Sequence, residues 1–209
     1  MPERDLDRVT ECVTLSPLHS HRAPAFASSG RSVVLVGLMG CGKTRVGREL
    51  APRLQLPFLD ADAEIEAAAG CTVGEIFALY GEAHFRDGER RVMSRLMHDA
   101  PCILATGGGA FMDPGTRAVI ARRGVSVWIK AELDLLLQRT ARKTTRPLLR
   151  HGDPKAILSR LQAERDPIYS LSDICVESTN GPAEETADAI LAALENHPVQ
   201  PVASLSGPS

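Results

Sequence analysis

The stretch Val33 to Gly47, VVLVGLMGCGKTRVG, constrains this chain more than any other: an apolar run, a glycine-rich bend, then a lysine and a threonine. Gly37 to Thr44 fits G-x-x-x-x-G-K-[ST], with strand-like residues before it and the helix-compatible TRVGRELAPRL after it. Gly37, Gly40 and Gly42 allow a tight turn that aims backbone N–H groups at one anion, because residues without a Cβ take positive φ. Lys43 adds positive charge, the Thr44 hydroxyl can ligate Mg²⁺, and the helix start adds its partial charge. A phosphate chain is the ligand this pattern suits. Cys41, inside the bend, is either a thiol activated by nearby positive charge or a small space-filling residue, and the second is the simpler role.

Short β-like runs alternate with helical patterns through the rest of the chain. The expected strands are Ser32–Gly37, Pro57–Asp60, Cys102–Thr106, Val125–Ile129 and Ile174–Glu177, apolar enough to lie between helix layers. Thr72 to Glu75 fits a capping box, Asp113-Pro114 and Asp153-Pro154 each place a cap residue before proline, and Gly124 suits a helix stop. Such alternation predicts a mainly parallel sheet with helices on both faces and ligands at the carboxyl ends of its strands. At 209 residues, 44% of them hydrophobic, the chain suits one domain over residues 31–196, with tails at 1–30 and 197–209 that read as polar and flexible.

Two further motifs follow expected strands. In FLDADAEIE, Asp60 and Asp62 are two apart, so on an extended segment both point towards the strand-end crevice. One could hold a metal and the other an acceptor hydroxyl; equally, Asp62 could cap the following helix. In ATGGGAF, Gly107, Gly108 and Gly109 either leave amides open to a ligand or form a flexible turn. Arg139, Arg142, Lys143, Arg146 and Arg150 fall in a run without an acid, which is either a solvated face or an anion clamp.

A formal net charge of −2 gives no electrostatic reason for a nucleic-acid or membrane partner. The odd number of scattered cysteines, without a C-x-x-C pair, indicates reduced thiols. There is no secretory h-region, and the early acids oppose a transit peptide. A cytoplasmic monomer is expected.

Six segments in order resemble the shikimate kinases, small P-loop kinases related in fold to the nucleoside monophosphate kinases: GLMGCGKT, FLDADAEIE, GEAHFRDGE, ATGGGA, TTRPLL and ERDPIYSLSD. The resemblance implies a three-layer α/β fold with a five-stranded parallel sheet in the order 2-3-1-4-5 and a mobile lid. It implies ATP-dependent phosphorylation of the shikimate 3-hydroxyl, with Mg²⁺. Gly40, Cys41, Gly42, Lys43 and Thr44 would serve ATP, with Arg139 and Arg146; Thr44 and Asp60 would serve the metal. Asp62 would contact the shikimate hydroxyls, Arg86 and Arg165 its carboxylate, and the amides of Gly108 and Gly109 would complete the pocket. Lys43, Asp62 and Arg146 would be catalytic, with Arg146 reaching in from the lid. Glu89, three residues after Arg86, could steady its guanidinium. STNGPAEE sits where such folds pass a loop over the adenine. Gly88 interrupts the expected helix around Arg86 at some cost in propensity.

Overall fold

The computed structural model describes Phe26, residues 29–141 and residues 152–198. All five expected strands form: β1 (Ser32–Val36), β2 (Phe58–Asp60), β3 (Ile103–Ala105), β4 (Gly124–Ala131) and β5 (Ile174–Ser178). They pair in parallel in the order β2-β3-β1-β4-β5. Every residue of β1 is buried, which is why this central strand reads as an unbroken apolar run.

The helices are α1 (Lys43–Leu54), α2 (Ala61–Ala69), α3 (Val73–Asp99), α4 (Pro114–Arg123), α5 (Leu133–Ala141), α6 (Pro154–Tyr169) and α7 (Ala183–Asn196). The β1 to β2 crossover runs one way across the sheet and the others run the opposite way. Right-handed connections therefore put α1 on one face and α3 to α6 on the other. The packing agrees, since α1 meets α7, α3 meets α4, and α5 meets α6.

The expected caps form. Thr72 and Glu75 make the reciprocal capping box of α3. Asp113 accepts from the Thr116 amide at the start of α4, and Asp153 from the Lys155 and Ala156 amides at the start of α6. Each such cap is worth about 1 kcal/mol. Gly124 ends α4, but with extended backbone (φ −145°) rather than a left-handed turn, and it opens β4 at once. A Cβ there would meet the Ser32 carbonyl at 2.9 Å, so close packing against β1 calls for glycine.

The interruption expected at Gly88 falls elsewhere. Gly88 stays inside α3, while Gly81 (φ 79°, ψ 173°) breaks it into two pieces. Ile65 of α2, Ile76 of the first piece and Phe85 of the second bury a small satellite cluster beside the main core. Val92 packs against both clusters. At the N-terminal end the packing reaches past residue 30, because Phe26 is buried in the main core.

Candidate active site

The phosphate-binding loop joins β1 to α1 at the carboxyl end of the sheet. Gly37, Gly40 and Gly42 take φ of 136°, 87° and 108°, a region that side chains oppose, so the glycine spacing read from the sequence matches a backbone requirement. Lys43 opens α1, and its Nζ donates back to the Gly37 and Leu38 carbonyls at 2.7 and 3.0 Å. The cation is thereby stowed against its own loop. Cys41 is buried, with Sγ 3.1 Å from where a Gly37 Cβ would lie, so it fills space behind the bend.

Arg139, near the end of α5, ties this loop to β5. Its Nη1 donates to Ser178 Oγ at 2.9 Å and to the Cys41 and Gly40 carbonyls at 3.3 and 3.4 Å, and its Nη2 donates to the Thr179 carbonyl at 2.6 Å. Partial burial pulls the guanidinium somewhat below its ordinary range. Ser178 and Thr179 open the STNGPAEE segment, within which the sequence alone assigns no single residue. Their position just at the end of an expected strand is the signal that could have found them.

Asp60 and Asp62 do converge on the crevice, but not by alternation along a strand. The strand β2 stops at Asp60, and Asp62 lies in the first turn of α2. Asp60, not Asp62, is the cap: its Oδ1 accepts from the Asp62 amide at 3.2 Å. Its Oδ2 accepts from the Thr44 hydroxyl at 3.0 Å. A hydroxyl and a carboxylate oxygen side by side are hard donors of the kind Mg²⁺ takes, the remainder of its shell coming from water and phosphate. No cluster of three or more His, Cys, Asp or Glu side chains gathers among the described residues. With its backbone amide engaged, the Asp62 side chain is left for the crevice, where it reaches solvent. Crowding by protein atoms raises its carboxyl above the ordinary 3.8, and the neighbouring Asp60 pushes the same way against Lys43 and Arg86.

Beyond the Gly81 break, α3 carries Arg86 to the same crevice. Arg86 Nη1 donates to Glu89 Oε2 at 2.7 Å and Nη2 to Glu82 Oε1 at 3.1 Å. Glu89 is 2% exposed, and among the described residues its Oε1 has no hydrogen-bond partner. Burial raises the Glu89 carboxyl and the Arg86 pair opposes that rise. The glycine triplet lies against these side chains. A Cβ at Gly107 would meet Asp62 Oδ1 at 2.7 Å and Glu89 Oε1 at 3.0 Å, and one at Gly109 would meet Arg86 Cζ at 2.7 Å. None of the three glycines has positive φ, so at Gly107 and Gly109 close approach of side chains, not turn flexibility, favours glycine.

From the other side α6 brings Arg165, whose Nη1 donates to the Gly108 carbonyl at 2.7 Å. The Tyr169 hydroxyl donates to the same oxygen. A Cβ on Gly108 would sit 3.7 Å from the Gly37 carbonyl and from the Met39 amide, so the triplet borders the phosphate loop directly. Asp62, Arg86 and Arg165 thus come together around one loop. Arg142, Lys143, Arg146 and Arg150 lie outside the described residues, and with them the expected lid.

A parallel sheet in this order, with a glycine-turned phosphate loop at the tip of its central strand and a carboxylate and two arginines facing it, defines a P-loop phosphotransferase of the small-molecule kinase type. Comparison with known proteins narrows the class. The family model described as shikimate kinase matches residues 39–195. A shikimate kinase of Paramagnetospirillum magneticum is 52% identical over 190 residues, covering 91% of this chain and 94% of its own. One of Ruegeria pomeroyi is 53% identical over 169 residues, 80% and 87% of the respective chains. Among solved structures, the shikimate kinase of Acinetobacter baumannii in complex with shikimate superposes with a TM-score of 0.78 at 38% identity, covering 85% of this chain and all of that one. The chain belongs to the shikimate kinase family.

Proposed function

We propose that this enzyme transfers the γ-phosphoryl group of ATP to the 3-hydroxyl of shikimate, giving 3-phosphoshikimate and ADP. The observation that carries this reading is the gathering of Asp62, Arg86 and Arg165 around Gly107–Gly109, on the border of the phosphate loop. A small hydroxylated acid needs cationic partners for its carboxylate and an anionic one for the hydroxyl that reacts. Arg86 and Arg165 come from separate helices, and a guanidinium matches a carboxylate in planar, bidentate fashion.

Phosphoryl transfer passes through a loose transition state, so the protein contributes mainly position and charge. Asp62 accepts a hydrogen bond from the attacking hydroxyl, aims it at the γ-phosphorus, and takes its proton as the new bond forms. Its raised carboxyl makes it a better proton acceptor than an ordinary aspartate. Lys43 leaves the Gly37 and Leu38 carbonyls to meet the β- and γ-phosphates, and the turned backbone holds them from below. Thr44 and Asp60 would hold Mg²⁺, which would offset negative charge on the phosphates. Arg139 is placed for the nucleotide, and Arg146 adds positive charge over the group in transfer. ADP release by the purified protein, with shikimate, quinate and gluconate each offered as acceptor, tests the proposal. Turnover with shikimate at far lower concentration than with either other acid is expected, and preference for another acid overturns it.

A further inference from the structure

The last residue of α6 has a hydroxyl that no residue of the phosphate-transfer apparatus requires. Tyr169 is fully buried, its ring set between Phe111 and Trp128 with centroids 6.4 and 5.9 Å away. Its hydroxyl donates to the Gly108 carbonyl, which also takes the Arg165 Nη1 bond at 2.7 Å. A carbonyl oxygen has two lone pairs, and here both are engaged. Because the peptide unit is planar and trans, fixing the Gly108 C=O also fixes the Gly109 N–H, which points the opposite way. Among the described residues nothing accepts from the Gly108 or Gly109 amide. The loop therefore offers amides whose direction is set from behind.

We propose that Tyr169 is a positioning residue for the acceptor: through one hydrogen bond it orients the Gly108–Gly109 peptide and steadies Arg165, and so tunes shikimate affinity without touching shikimate. This rests on the reading above that Gly109 and Arg165 contact the acceptor. Three features favour it over a core tyrosine that merely satisfies its own hydroxyl. Tyr169 and Arg165 are four residues apart, hence on one face of α6, and share a single acceptor atom. That atom belongs to the loop that packs on Arg86 and Asp62. Burial also pushes the phenol far above its ordinary range, so it remains a donor at every pH at which the enzyme works.

The test is equilibrium binding of shikimate and of ATP, each alone, to the wild type, Tyr169→Phe, Arg165→Ala and the double variant, with melting temperatures alongside. Tyr169→Phe is expected to weaken shikimate by about fivefold, the worth of one neutral hydrogen bond, and to move ATP by less than twofold. In the Arg165→Ala background the same change should cost less, because the shared anchor is gone. Unchanged shikimate affinity in Tyr169→Phe beside a weakened Arg165→Ala overturns the role of Tyr169 alone. Equal losses for both ligands do so as well. Unchanged shikimate affinity in Arg165→Ala overturns the active-site reading itself. A second measurement avoids removing the hydroxyl. The chain has only two tyrosines, so 3-fluorotyrosine incorporated into Tyr80→Phe protein gives one ¹⁹F resonance, at position 169. That resonance is expected to shift on saturation with shikimate, and a resonance that does not respond overturns the proposal.

Discussion

Glu89 gives one carboxylate oxygen to Arg86 at 2.7 Å and keeps the other, buried and without a partner among the described residues, against Gly107. The pair is lopsided, since the Glu89 side chain is 2% exposed and that of Arg86 29%. Arg86 is consequently held by an acid that cannot follow it into solvent, which fixes the guanidinium before any ligand arrives.

Replacing Arg86 with alanine removes a partner from the substrate carboxylate and from Glu89 together. Shikimate binding is expected to weaken by about 2 kcal/mol, roughly thirtyfold, with little change for ATP. The melting temperature should also fall, because the variant strands a buried carboxylate. Titration calorimetry of each ligand, with thermal denaturation of the free protein, checks both. Equal losses for the two ligands would rule out the pocket assignment.

Gly109→Ala approaches the same guanidinium from the loop side. The added Cβ would lie 2.7 Å from Arg86 Cζ, so the side chain must move while the backbone, whose φ is not positive, need not. Shikimate affinity should drop at least about tenfold, and the double variant with Arg86→Ala should bind no worse than Arg86→Ala alone, since neighbouring changes that act through one group do not add. Additive losses in the double variant would show that Gly109 acts independently of Arg86.

The raised Asp62 carboxyl makes a statement about stability. A carboxyl whose folded pKa exceeds its unfolded one favours folding when protonated, and that contribution is lost as pH rises through the folded value. Asp62→Asn is therefore expected to raise the melting temperature at pH 7 to 8, and the gain should vanish below about pH 4, where the wild-type group is protonated in both states. The same variant should lose most of its turnover. Thermal denaturation across pH gives the answer, and a gain that persists in acid would trace the effect to some other cause.

Arg146 lies outside the described residues, and its role is a proposal from its place in TTRPLL. A cation meeting the γ-phosphoryl in transit contributes on the order of a thousandfold to turnover in related chemistry. Arg146→Ala should lower kcat by at least about a hundredfold, with a far smaller change in the shikimate dissociation constant. Weak binding with near-normal single-turnover chemistry at saturation would make it a carboxylate anchor instead.

The strands and helix starts were legible because each has a local cause. An apolar run buried on both faces, a threonine three residues before a glutamate, and an aspartate before proline all act within one element. The break at Gly81 was not legible, since Gly81 and Gly88 sit in similar helical surroundings and only the packing of α2 on α3 selects between them. At the site, the residues of the crevice could be named, yet the reasons for two of them were different. Asp62 faces the crevice from a helix, and Gly107 and Gly109 make room for the side chains that press on them. Tyr169 and Ser178 fall within the quoted segments ERDPIYSLSD and STNGPAEE but had no role there, because their partners are distant in sequence, 61 and 39 residues away.

The satellite cluster, shared by α2 and both pieces of α3, has only Ile65, Ile76 and Phe85 at its centre, while the sheet is enclosed by the main core. So little buried apolar surface is expected to let this region open as a separate foldon, with amides that exchange with solvent deuterium before those of β1. Arg86 is the next residue after Phe85, so an opening that releases Phe85 also loosens the support of the proposed carboxylate anchor. Part of the binding energy of the acceptor must then go into keeping that foldon closed, and saturating shikimate should slow deuterium uptake across α2 and residues 73–86 while leaving the central strand unchanged.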